Sequence, residues 1–189
     1  MKKTALWAGI ACAAIALAIA GDFARRSLLA PEADKPSSVA VAPADLDAAS
    51  EALFRQRFPD AHGNEQALEQ WRGKVLVVNF WATWCAPCRV EMPEFAEVSQ
   101  QYAGAGVQFI GIGIDSAANI LKFEQATPMP YPLLVAGPQA LGLASLFGNT
   151  AQALPFTVII DRQGKVSNIK LGVLKRSELE GKIRPLLAS

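Results

Sequence analysis

The sequence predicts an α/β domain built on a mixed sheet with helices packed against it. Three observations carry this reading. Val75-Leu76-Val77-Val78-Asn79-Phe80-Trp81 and residues 107–114 are nearly continuous apolar runs, as expected of strands buried on both faces. Each run is followed by a helix-compatible segment. Towards the C-terminus, a strand at 157–160, the tight turn Asp161-Arg162-Gln163-Gly164 and a return strand at 165–171 form a hairpin, with one more helix after it. The order strand–helix–strand–helix, then hairpin and helix, gives a helix-covered mixed sheet.

Composition narrows the function. Of 189 residues, 51% are hydrophobic and 19% charged, which excludes a mainly disordered chain. Eighteen Lys and Arg against 17 Asp and Glu leave a net charge of +1, so there is no basic field for nucleic acid. Three cysteines cannot build a multi-bridge scaffold, and a single histidine excludes most His-rich zinc sites.

In chain order, Lys2 and Lys3 precede an apolar run from Ala5 to Ala20, with Ala18-Ile19-Ala20 before Gly21 as a cleavage signal. This is the pattern of an export segment. The run is near the lower limit for a membrane-spanning helix, so a retained anchor fits as well. Cys12 lies inside it as a small apolar residue. Either way, the rest of the chain is expected on the periplasmic side of the cytoplasmic membrane. Pro31, Pro36 and Pro43 mark an Ala/Pro/Ser-rich tether. The expected division is an export segment or anchor at 1–21, a tether at 22–50 and the folded domain at 51–189, with a short helix beginning near Leu46.

Within the domain, Gly63-Asn64 predicts a small N-terminal hairpin. Residues 66–71 read as a helical turn closed by Gly73. The strand ending at Trp81 leads through Cys85 into a helix reaching Tyr102, broken by Gly104-Ala105-Gly106. After the second strand come a helix at 117–125, an extended path forced by Pro128, Pro130 and Pro132 into Leu133-Leu134-Val135, and a helix at 139–147. Ser177 with Glu180 three residues on predicts a capping box for the last helix.

The chemistry centres on Trp84-Cys85-Ala86-Pro87-Cys88, placed after a buried strand and at the opening of a helix. Unpaired N–H groups and the positive end of the helix dipole favour a thiolate at Cys85. Cys88, one turn further in, is expected to be more buried and less ionised. Cys85 is therefore the candidate attacking thiol and Cys88 the resolving one. A structural disulfide, a zinc half-site and two inert thiols are the competing readings. Pro155, directly before a strand, is either a strand-start proline or a cis proline beside Cys85. In the cis case, backbone at residues 153–154 is left free for an incoming peptide.

Val77-Val78-Asn79-Phe80-Trp81-Ala82-Thr83-Trp84-Cys85-Ala86-Pro87-Cys88-Arg89-Val90-Glu91-Met92-Pro93 resembles the thioredoxin superfamily. Within it, the chain is similar to the exported TlpA/ResA/CcmG-like thiol-disulfide oxidoreductases over roughly residues 55–187. The resemblance implies a thioredoxin fold with a central strand–helix insertion, a redox-active Cys85–Cys88 pair and a cis Pro155. It implies a mostly reducing role on protein disulfides, often in cytochrome c maturation. Apocytochrome c is then one candidate substrate. The gap in the pattern is Asn79, where thioredoxins usually carry a buried Asp. Asn cannot exchange a proton at neutral pH, and Glu91, three residues after Cys88 on the same helical face, is the candidate substitute. A solvated carboxylate serving only the helix dipole is the other reading of Glu91. Asp115 and Glu124 are weaker candidates.

Trp84, Pro87, Leu154 and Pro155 are the candidate substrate-binding residues, while Trp71 and Trp81 are expected in the core and His62 in a turn. Gly111-Ile112-Gly113 lies inside a strand rather than opening a helix, so it predicts no phosphate loop. No cofactor or metal is expected, and electrons are expected from a membrane dithiol protein. A disulfide-donating oxidase and a copper- or haem-handling thiol module are the alternative functions.

Overall fold

The computed structural model describes residues 43–188. The expected export segment and the tether up to residue 42 lie outside the described residues. Among the described residues, no helix is long and apolar enough to cross a membrane.

Helix α1 (Pro43–Phe54) precedes a two-stranded hairpin of β1 (Arg57–Pro59) and β2 (Glu65–Ala67). A 3-10 turn, Leu68–Trp71, leads into β3 (Val75–Trp81). Then follow α2 (Ala86–Tyr102), β4 (Val107–Gly113), α3 (Ala117–Ala126), β5 (Leu133–Val135), α4 (Gln139–Leu146), β6 (Phe156–Ile160), β7 (Val166–Leu171) and α5 (Arg176–Leu187). The five-stranded sheet has the order β5-β4-β3-β6-β7. β3, β4 and β5 are mutually parallel, whereas β6 runs antiparallel to both β3 and β7.

Every residue of β3 is buried, because helices cover both faces of the sheet. On one face, Met92 and Phe95 of α2 and Leu179 and Ile183 of α5 pack with Val77, Phe109 and Ile159. On the other, Leu53 and Phe54 of α1 and Leu143 of α4 pack with Val78, Ile110 and Val158. The Gly-Ile-Gly of β4 serves this packing. A Cβ on Gly111 would meet Leu133 at 2.7 Å, and one on Gly113 would strike Ile120 of α3.

The structure moves three expected features. The domain begins before residue 51: Ala49 and Ser50 are buried, and Ser50 Oγ donates to the Gly164 carbonyl at 2.6 Å. Gln66 belongs to the hairpin, and the helical turn starts two residues later. The Ser177–Glu180 capping box does not form. α5 begins at Arg176 with no side-chain bond from its cap residue, Lys175. Instead, the Arg176 N–H donates to Glu94 of α2 at 2.6 Å, and Glu180 pairs with Arg176 and Arg184. The helix start is satisfied from a neighbouring helix, which local spacing cannot reveal.

Candidate active site

β3 ends at Trp81, and Phe80 pairs with Phe156 at the start of β6. Because these strands are antiparallel, the exit of β3 and the entry of β6 lie at the same end of the sheet. That end carries Cys85 on one connection and Leu154-Pro155 on the other. The Leu154–Pro155 peptide bond is cis.

Cys85 is the N-cap of α2, with extended backbone at φ −80° and ψ 98°. Its Sγ accepts the Cys88 N–H at 3.3 Å. Pro87 sits in the first helical turn, where its missing N–H would have had no intrahelical partner. Cys85 and Cys88 form a disulfide. Cys85 keeps 5% exposure and Cys88 none, so a reagent from solvent reaches Cys85 first. Trp84, beside it, is 69% exposed, as is Val90 to nearly the same extent (68%). Both line an open groove of about 870 Å³ between α2 and α3, with Arg89, Pro93, Lys122 and Phe123 on its walls. Trp71 and Trp81 are buried in the core.

The loop bearing Trp84 is tied to the end of β4. Thr83 Oγ1 donates to Asp115, which also accepts the Ser116 N–H and the Asn119 amide. Burial pushes the Asp115 carboxyl up, but these donors outweigh it and hold the group below its ordinary value. Glu124 is directed elsewhere, with Oε2 3.3 Å from His62 Nε2. His62 occupies the hairpin turn, its N–H bonded to Asp60.

Glu91 is only 1% exposed, which excludes a solvated helix-dipole residue. It lies on the buried face of α2 with Cys88. Oε1 accepts from Asn79 Nδ2 at 2.8 Å and Oε2 from the Leu174 N–H at 2.9 Å. Asn79 Nδ2 also reaches Thr157 at 3.1 Å. Burial pushes the Glu91 carboxyl up to about 7, against the lowering effect of the Leu174 and Asn79 donors. Tyr131 is buried, and its hydroxyl is held well above its usual range by that burial first and by the Glu91 charge second. The chain thus uses a neutral Asn from the strand to seat a titratable Glu from the helix.

The expectation that backbone at both 153 and 154 is free is corrected for residue 153. Asn149 takes both of its groups: the Ala153 N–H donates to Oδ1 at 3.1 Å and Nδ2 donates to the Ala153 carbonyl at 2.9 Å. Leu154 keeps its N–H and carbonyl without hydrogen-bond partners among the described residues. Sequence reasoning missed Asn149. The available signal was a short amide side chain four residues before the segment that it bonds. Among the described residues, no group of three or more His, Cys, Asp or Glu side chains is arranged to hold a metal ion.

Comparison with known proteins agrees with this geometry. The Redoxin family model matches residues 39–183. The chain is 31% identical over 122 residues to thiol-disulfide oxidoreductase ResA of Geobacillus thermodenitrificans, covering 64% of this chain and 68% of the relative. It is 29% identical to the thioredoxin-like protein YneN of Bacillus subtilis, covering 64% and 70% of the two chains. Among solved structures, a DsbF homologue from Corynebacterium diphtheriae superposes with a TM-score of 0.64 at 26% identity, covering 71% of this chain and 85% of that one. A thioredoxin-family thiol:disulfide interchange protein from Chlorobium tepidum gives 0.64 at 26% identity, covering 70% and 92%. With a helix-capping Cys85 bonded to a buried Cys88, at the same end of a thioredoxin-like sheet as a cis proline, the chain belongs to the Redoxin family and is a thiol-disulfide oxidoreductase.

Proposed function

We propose that this oxidoreductase works as a reductant of protein disulfides outside the cytoplasm. The observation that carries the direction is the buried Glu91 one helical turn from Cys88. A disulfide is strongly oxidising when its reduced, thiolate form is stabilised. A carboxylate beside the pair does the opposite: its negative charge disfavours the thiolate and lowers the potential.

In the proposed cycle, the Cys85 thiolate attacks one sulfur of the substrate disulfide and the other substrate sulfur leaves as a thiolate. Cys88 then loses its proton to Glu91 and attacks the Cys85 sulfur. That step expels the second substrate sulfur as a thiolate, which takes up a proton, and closes the Cys85–Cys88 disulfide. Two electrons pass from the cysteine pair to the substrate. A membrane dithiol protein restores the pair and is oxidised in turn. Trp84 and Pro87, with the groove beside them, receive the substrate from the α2 side, and Leu154 and Pro155 receive it from the β6 side. Apocytochrome c is the candidate substrate that the resemblance implies. The extracytoplasmic reading is supported by the Lys2-Lys3 and Ala5–Ala20 pattern. A reporter fused after Ser189 that is active only outside the cytoplasm is expected to be active, whereas activity of a strictly cytoplasmic reporter contradicts export.

The reduction potential tests the direction. Equilibration with glutathione or thioredoxin buffers is expected to place the pair near thioredoxin's value, about −270 mV. A value near that of a dedicated oxidant, about −120 mV, would overturn the reductase reading.

A further inference from the structure

We propose that Asn149 is a positioning residue that restricts peptide pairing at this site to the single residue Leu154. The proposal rests on the reading that the substrate is a protein disulfide.

Asn149 follows α4 and is 3% exposed. Its own backbone is held in place: its N–H donates to the Ala144 carbonyl at 3.2 Å, and its carbonyl accepts from the Gln152 N–H at 3.1 Å. From this fixed base the side-chain amide both accepts from and donates to Ala153. That exchange of two hydrogen bonds with one residue is what a hydrogen-bonded partner in an antiparallel ladder makes. The Asn149 side chain therefore occupies the place of a neighbouring strand at Ala153.

The next residues complete the argument. The Pro155 carbonyl is taken by the Gly172 N–H at 2.8 Å, and proline has no N–H to offer. Ala153 is saturated. Between them, Leu154 alone keeps a donor and an acceptor without partners among the described residues. Its side chain packs against both core clusters, which anchors the residue. A substrate backbone residue that exchanges two hydrogen bonds with Leu154 is thereby set in one register at the end of the sheet that carries Cys85. Asn supplies the donor and the acceptor on two separate atoms, as the two groups of Ala153 require. An ionised Asp lacks the donor, and an aliphatic residue lacks both. Without Asn149, Ala153 is no longer held, so Leu154 is not fixed for pairing and its hydrogen bonds to a substrate backbone are weakened.

The test measures exchange with a disulfide-linked peptide and with the same peptide N-methylated in turn at each residue flanking the reacting half-cystine. Hydroxyethyl disulfide, which has no peptide backbone, is the reference. In the wild type, the most damaging methylation is expected to lower peptide kcat/KM relative to the reference by about tenfold, the size of one hydrogen bond. In Asn149→Ala the unmethylated peptide is expected to lose a similar factor relative to the reference, mainly through KM. There the methylation penalty is expected to shrink below about threefold. Asn149→Asp keeps the shape, so it replaces the Ala variant if that one does not fold, with the same expectation at neutral pH. An equal methylation penalty in wild type and variant would overturn the proposal. So would no penalty at any position in the wild type. Failure of the wild type to exchange with either disulfide would overturn the proposed function, and the proposal with it.

Discussion

Glu91 concentrates the chemistry of the site in one side chain. Its carboxyl, ordinarily near 4.5, is pushed up to about 7 by burial. The folded protein thus holds this proton more tightly than the unfolded chain does. The resulting stabilisation is complete below pH 4.5 and is lost as pH rises through about 7. Such a rise corresponds to about 3 kcal/mol. Urea unfolding of the oxidised protein is therefore expected to show wild type losing about that much stability relative to Glu91→Gln between pH 4.5 and about pH 8. In the proposed cycle, ionised Glu91 is the base for Cys88, so wild-type mixed-disulfide resolution is expected to accelerate as pH rises through about 7. Glu91→Gln is expected to lose that rise and to resolve on the order of 100-fold more slowly above it. Superimposable pH–rate profiles would contradict a proton-transfer role. The cysteine spacing and the place of Glu91 on the same helical face as Cys88 were legible in the sequence. The depth of Glu91 was not, because it depends on the Leu174 N–H, which lies 83 residues away.

At the scale of elements, the helices and strands were legible where one pattern dominates. The unbroken apolar run of β3 admits little but a central strand, and the three prolines before β5 leave little but an extended path. Termini were less legible, since distant groups satisfy them. Ser177 and Glu180 have capping-box spacing, yet the first N–H of α5 is bound by Glu94 from α2. Glu94→Ala is accordingly expected to cost about 1 kcal/mol, as for loss of a helix cap. Ser177→Ala is expected to stay within about 0.5 kcal/mol of wild type. Chemical denaturation of the two variants checks this, and a larger loss for Ser177→Ala would contradict the observed cap. The start of α1 shows the same limit. Up to residue 50 its proline- and alanine-rich sequence reads as a tether, but the domain supplies a surface that buries Ala49 and Ser50.

Across the whole molecule, the sheet order places two connections at one end of adjacent central strands: β3 to α2 with the cysteines, and the approach to β6 with the cis proline. In the proposed cycle, the first delivers the attacking sulfur at the open end of a helix, and the second presents Leu154 to the substrate backbone. Helices on both faces bury Cys88 and Glu91 together while leaving Trp84 in solvent. The central claim is that this arrangement makes Cys85 the attacking thiol. Its most direct test is timed alkylation of the fully reduced protein across pH, with each cysteine followed by mass spectrometry. Cys85 is expected to be modified first, with an apparent pKa below about 8.5, the value of a free thiol. Equal rates at the two cysteines, or faster modification of Cys88, would contradict it.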